Sequence, residues 1–232
     1  MYIYGKNVVR EKLNTNDTIR KAYISNKFKE NDIIDKLKNR KVKINFVDNK
    51  ILDNKVNGLH QGIILEVDDV KTYNLDEFLQ TIKNKNNTRV VMLDHLEDPH
   101  NFGAIIRTCE ALGIDGIIIP NDRSVNINST VVKTSVGAIE YINIIRVPNL
   151  GVAIKKLKDN NFWIIGTDMS GTDYRELDYD MNTCLIIGNE GKGISKVIKN
   201  NCDYIVTIPM LGKINSLNAS VSCAIILSRM VN

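Results

Sequence analysis

The stretch T-C-L-I-I-G-N-E-G-K-G-I-S at residues 183–195 runs an apolar strand into a glycine-bearing polar loop. A second stretch of the same kind, I-V-T-I-P-M-L-G-K-I-N-S-L-N-A-S-V-S-C-A-I-I-L-S-R-M, follows at 205–230. The first sets Gly188, Glu190, Gly191, Lys192 and Gly193 directly after the apolar run 185–187. The second sets Pro209, Gly212, Ser216 and Asn218 after the run 205–208. Buried strands that end in glycine and small polar residues build ligand pockets at the carboxyl edge of a parallel sheet. Neither loop fits a nucleotide pattern. The dinucleotide fingerprint is G-x-G-x-x-G, whereas residues 188–193 read G-x-x-G-x-G, and Lys192 precedes Gly193 where a P-loop needs Ser or Thr. Glu190 is the wrong charge to hold a phosphate and suits a basic or amide group instead.

Upstream, the pattern alternates between strand and helix from residue 89 onward. The expected strands are 90–93, 116–119, 141–147, 163–166, 185–187 and 204–208, and the expected helices 102–112, 127–136, 150–160, 195–200 and 217–230. These strands are apolar throughout, as in a parallel sheet covered on both faces. The fold class is therefore α/β with a mostly parallel sheet. Residues 1–68 form a smaller βαβ-like unit: strand 2–5, helix 6–13, strand 22–24, helix 31–39, alternating strand 42–47 and strand 63–67 after a polar loop at 57–62. About 68 residues is near the lower size for independent folding. Residues 69–88 read as a junction, in which Asn74 caps a short helix with Asp76 and Glu77 in its first turn. The run K-N-K-N-N-T at 83–88 is a linker or a loop just inside the second domain, which then occupies 89–232.

Composition narrows the function classes. The 232 residues are 43% hydrophobic and 25% charged, enough apolar material for a sizeable core in a soluble chain. No apolar run reaches transmembrane length and M-Y-I-Y-G-K-N is no signal peptide, so a cytoplasmic protein without a membrane partner is expected. Cys109, Cys184, Cys202 and Cys223 sit in apolar segments without a C-x-x-C pair and read as buried free thiols. His60, His95 and His100 make no metal-ligand pattern, so no metal is expected. The net charge of +4 lies wholly in residues 1–70, which hold 14 Lys/Arg against 10 Asp/Glu. That bias suits a phosphate-rich partner, although charge alone fits a solvated lysine-rich surface better.

The helix expected at 102–112 has Asn101 as its cap and Gly113 as its stop. Phe102, Ile105, Ile106, Cys109 and Leu112 form its apolar stripe. Arg107 falls on the opposite face among the small residues Ala104, Thr108 and Ala111. Two readings stand: a surface arginine, or a guanidinium aimed at a ligand or a second chain. Ser216 and Asn218 likewise read either as helix-start residues or as part of a site, with no His or Asp nearby in sequence to make Ser216 a nucleophile.

Three stretches taken together resemble a known family. N-F-G-A-I-I-R-T-C-E-A-L-G at 101–113, I-I-G-N-E-G-K-G-I-S at 186–195 and I-P-M-L-G…S-L-N-A-S-V at 208–221 are similar to the three motifs of the SpoU, or TrmH-like, RNA 2′-O-ribose methyltransferases of the SPOUT superfamily. Y-G-K-N-V-V at 4–9 and H-Q-G-I at 60–63 resemble the amino-terminal substrate-binding domain of its two-domain, RlmB-type members. The resemblance implies a carboxyl-terminal trefoil knot that binds S-adenosylmethionine through backbone groups at Gly188, Ile208 and Leu217, with Thr167 beside them. It implies catalytic roles for Asn101, Arg107, Glu190, Ser216 and Asn218, and a homodimer whose active site draws on both chains. The implied substrate is RNA, foremost a guanosine of 23S ribosomal RNA. A transfer-RNA ribose methyltransferase and a non-catalytic RNA-binding protein on the same scaffold are the alternatives.

Overall fold

A computed structural model describes residues 1–231. The front segment folds as β1 (Tyr2–Tyr4), α1 (Lys6–Asn14), β2 (Ile19–Ser25), α2 (Asn31–Asn39), β3 (Lys43–Val47), α3 (Asn49–Asp53) and β4 (Ile63–Val67). Its four strands form one sheet in the order β1-β4-β2-β3. Only β2–α2–β3 is a parallel βαβ unit, because β4 runs antiparallel to both β1 and β2. The short helix α3 was not expected: five residues are too few to display a helical period.

α4 (Leu75–Ile82) begins on a capping box, in which the Asn74 side chain accepts from the Glu77 N–H and the Glu77 side chain accepts from the Asn74 N–H. Its apolar face, Leu75, Phe78 and Leu79, packs into the second half of the chain. There follow β5 (Arg89–Asp94), α5 (Pro99–Ala111), β6 (Gly116–Pro120), α6 (Ser129–Thr134), β7 (Asn143–Val147), α7 (Leu150–Lys158), β8 (Trp163–Asp173), β9 (Thr183–Gly188), α8 (Lys196–Lys199), β10 (Tyr204–Thr207) and α9 (Ala219–Met230). The six strands run in the order β10-β8-β9-β5-β6-β7, and every pairing is parallel. β6 and β9 are buried along their whole length, which is why their sequences are continuously apolar.

Several bounds differ from expectation for identifiable reasons. β7 starts at Asn143, since a 3₁₀ turn at Ala138–Glu140 occupies the residues before it. α6 starts at Ser129 because the Asn128 side chain caps it. β8 extends to Asp173. It pairs with β10 up to Gly166, leaves the ladder, and rejoins it at Thr172 and Asp173.

Two apolar layers clothe the six-stranded sheet. One contains α4, α7 and α8 side chains. The other contains α5, α6 and α9 and continues without a break into Ile3, Val9 and Leu65 of the front sheet. The halves therefore share one core. Among the described residues no helix is long and apolar enough to cross a membrane.

Candidate functional site

The site forms where β5 and β9 end side by side, with Asp94 opposite Gly188 in the register. The carboxyl edge of a parallel sheet is where loops are free to build a pocket. After Gly188 the chain makes a closed turn: the Asn189 N–H donates to the Gly193 carbonyl at 3.1 Å and the Gly193 N–H donates back to the Asn189 carbonyl at 2.8 Å. A side chain at Gly188 would meet the Gly193 carbonyl carbon at 2.1 Å and the Ile194 nitrogen at 2.3 Å, so only glycine lets the turn fold back on its own strand. Glu190 is carried at the outer side of that turn.

α5 enters the site amino end first. Its cap is Asp98, which accepts from the N–H groups of His100 and Asn101, and Pro99 occupies the first helical position. Asn101 is thus not the cap that its sequence position suggests. The Asp98–Pro99 pair is the stronger start signal and was legible as such. Relieved of capping, the nearly buried Asn101 turns its amide to the site. Its Nδ2 donates to Glu190 Oε1 at 2.8 Å, and its Oδ1 accepts from Asn218 Nδ2 at 2.9 Å. Asn218 is in turn the cap of α9, its Oδ1 accepting from the N–H groups of Ser220 and Val221. Three of the five expected catalytic residues are therefore joined in one hydrogen-bonded chain. Ser216 is exposed and hydrogen-bonds nothing among the described residues, so of its two readings the helix cap falls to Asn218 instead.

Arg107 stands apart. Six positions along α5 place it about 9 Å up the axis and roughly 120° around from Asn101. It is exposed, and among the described residues it has no hydrogen-bond or ion-pair partner. The second oxygen of Glu190 also lacks a partner among them.

Of the expected cofactor residues, Thr167 lies on β8, Gly188 ends β9, and Ile208 and Leu217 stand at the two ends of the segment after β10. Thr167, where β8 leaves the ladder, donates its hydroxyl to the Ile186 carbonyl at 3.1 Å. Ile208 is half-buried against the core, whereas Leu217 is exposed. Between them, at 210–217, no backbone N–H or C=O has a partner among the described residues. Met210, Leu211 and Ile214 project outward from this segment. Apolar side chains beside open backbone donors and acceptors suit a ligand with an apolar body and a heteroaromatic edge. Ser195 precedes α8, but its side chain caps nothing. The thiols take no part in the hydrogen-bonded chain: burial raises those of Cys109 and Cys184, and takes Cys202 to about 11.

A sequence profile of the SpoU rRNA Methylase family matches residues 88–228. The chain belongs to this family. A second profile, RNA 2′-O ribose methyltransferase substrate binding, matches residues 2–73 of this SpoU-family chain. A Staphylococcus aureus protein assigned to the TrmH family of tRNA/rRNA methyltransferases is 42% identical over 230 residues, covering 97% of this chain and 93% of its own length. Among solved structures, the SpoU methyltransferase AviRb from Streptomyces viridochromogenes, crystallised with AdoMet, superposes with a TM-score of 0.84 at 24% identity over 100% of this chain and 89% of its own. A TrmH/SpoU tRNA-modifying enzyme from A. aeolicus matches with a TM-score of 0.57 at 30% identity over 68% of this chain and 80% of its own. The Asn101–Glu190–Asn218 chain and the two loops that frame it lie within the matched residues 88–228.

Proposed function

We propose that this SpoU-family methyltransferase acts on the 2′-hydroxyl of a guanosine in 23S ribosomal RNA. The observation that carries the reading is the hydrogen-bonded chain from Glu190 through Asn101 to Asn218, set beside the open backbone of 210–217. The residues fit S-adenosylmethionine: Gly188, Thr167, Ile208 and Leu217 frame that segment, and its free N–H and C=O groups can meet an adenine edge. When bound, S-adenosylmethionine supplies an electrophilic methyl on a sulfonium.

A ribose hydroxyl is a poor nucleophile, so the chain's own residues must orient it and stabilise the charge it develops. A guanidinium keeps its proton in proteins and cannot serve as the base. Arg107 instead binds the phosphate next to the target ribose and stabilises the negative charge that builds on the 2′-oxygen as its proton passes to solvent water. The unpaired oxygen of Glu190 receives that guanidinium, while Asn101 holds the other oxygen. Ser216 and Asn218 shape the ribose site. Because Arg107 and Asn101 lie on different faces of α5, the guanidinium that completes one site comes from a second copy of the chain. The outward Met210, Leu211, Ile214 and Val221 supply apolar surface for that homodimer. The fold-back of Gly193–Ile194 over Gly188 and the return of Asn218 to α5 support a trefoil knot in this region.

The extra domain and the family's description favour ribosomal over transfer RNA. Methyl transfer from labelled cofactor to 23S ribosomal and transfer-RNA transcripts, with mapping of the modified ribose, tests this. Incorporation at one guanosine of the ribosomal transcript is expected; incorporation only into transfer RNA replaces the target, and RNA binding without transfer to either removes the reading. The pH–rate profile is expected to stay flat from neutral to alkaline pH, with activity lost in Arg107→Ala.

A further inference from the structure

We infer that Asp94 is a positioning residue for methyl transfer, acting through the Glu190 loop; this rests on the reading just proposed. Asp94 closes β5 at the centre of the sheet and is 1% exposed. A carboxylate buried at the end of an otherwise apolar strand is costly unless it is well hydrogen-bonded. Its Oδ2 accepts from the Ser195 N–H at 2.7 Å, and its Oδ1 pairs with His95 Nδ1 at 2.5 Å. His95 itself is held in the left-handed region, at φ 57°, a conformation uncommon for a residue with a side chain. There its carbonyl accepts from Asn189 Nδ2 at 3.0 Å. The Asn189 side chain also accepts from the Gly191 N–H at 3.0 Å.

The Asp94–His95 pair therefore grips both stems of the turn that carries Glu190: Asn189 on the way out and Ser195 on the way back. The Asp94 side chain hydrogen-bonds none of Asn101, Arg107, Glu190, Ser216 and Asn218. What it fixes is where Glu190 stands, and through Glu190 the Asn101 amide. Backbone placement that depends on one buried carboxylate explains how an exposed, glycine-rich turn can hold a carboxylate oxygen in register with two asparagines. Backbone strain often marks a functional site, and here the residue in the left-handed region is itself one of the two tethers.

Asp94→Asn keeps the size and removes the charge. Ser195→Pro removes the donor at a position whose φ of −61° already matches proline and whose side chain caps nothing. Both variants are expected to lower kcat about 10- to 100-fold, because small misplacements of an orienting group cost that much, with KM for RNA little changed. In a double-mutant cycle with Asn101→Ala, Asp94→Asn is expected to add almost nothing, since both act through the Glu190–Asn101 contact. Effects that multiply instead, or an Asp94→Asn enzyme with parental kcat, overturn the proposal. Hydrogen exchange reads the loop separately from the reaction. The Ser195 and Gly193 amides should lose protection in Asp94→Asn while the amides of β5 and β9 keep theirs. A wild-type protein that methylates no RNA removes the proposed function. Unchanged exchange at 189–195 removes the role of Asp94, whatever the RNA result.

Discussion

Asn101 uses both ends of its amide, donating to Glu190 and accepting from Asn218, so the position needs a side chain that offers a donor and an acceptor at once. Aspartate at 101 would set like charges against each other, and an apolar residue would leave both partners unmet. Asn101→Ala is expected to lower kcat about 100-fold, the usual loss for one orienting donor. The same change should cost only about 1 kcal/mol of stability, the net value of a hydrogen bond in a partly exposed setting. Single-turnover methyl transfer and urea unfolding measure the two effects. A stability loss matching the activity loss would make Asn101 a structural residue instead. The residue types of this cluster were visible in the three motifs. Their contacts were not, because the bonded residues lie 89 and 117 positions apart in the chain. No local period carries such information. Arg107 and Ser216 show the converse: the motifs name them, yet among the described residues neither has a hydrogen-bond or ion-pair partner.

The element that matters most is α5, since it delivers Asn101 at its start and Arg107 near its end. Its seating depends on Gly103. A side chain there would meet Thr134 Cβ at 2.6 Å and the Val131 carbonyl oxygen at 3.0 Å, both on α6. Gly103→Ala is therefore expected to push the two helices apart and destabilise the protein by about 1–3 kcal/mol, the range for overpacking a tight contact. Denaturant unfolding measures this, and a variant as stable as the parent would show that α6 can yield freely. Elements of this kind were legible to different degrees. β6 and β9 were plain because burial on both faces leaves a continuous apolar run. The second half of β8 was hidden: T-D-M-S-G-T-D at 167–173 has no apolar pattern, and its pairing with β10 is decided by tertiary contact. Helix starts were misplaced wherever a residue thought helical proved to be the cap, as at Asn218, or where the cap lay further upstream, as at Asp98.

At the scale of the molecule, the front domain is clamped to the rest by more than shared apolar core. Lys12 of α1 bonds Asp17 at 2.8 Å and Glu140 of the second half at 2.7 Å, in a setting where Lys12 is almost wholly buried. Lys12→Met leaves the half-buried Glu140 without its counter-charge and should cost about 1–3 kcal/mol, seen by calorimetry as a lower melting temperature. The two carboxylates respond oppositely to acid. The Lys12 hydrogen bond holds Asp17 down to about 2 from 3.8, so its ionised form favours the fold. That contribution is complete above 3.8 and is lost as pH falls through about 2. Asp17 is 47% exposed, so screening keeps the contribution to about 1 kcal/mol or less. Burial raises Glu140 instead, so protonation there favours the folded chain as pH falls. The melting-temperature gap between the parent and Asp17→Asn should accordingly narrow as pH drops from about 4 toward 2. The clamp fixes how the front domain sits over α5, because the 3₁₀ turn bearing Glu140 packs in the same apolar layer as that helix. It does not complete the active site. If Arg107 serves the site of a second copy, two inactive variants must repair each other. Arg107→Ala and Glu190→Gln, each inactive alone, are expected to regain activity when unfolded together and refolded as a mixture. Random pairing in a two-fold dimer gives mixed dimers in half of cases, each with one intact site, so recovery should approach roughly a quarter of parental activity. No recovery, with mixed dimers present by native mass spectrometry, would place Arg107 in the site of its own chain and require α5 to turn or shift during the reaction.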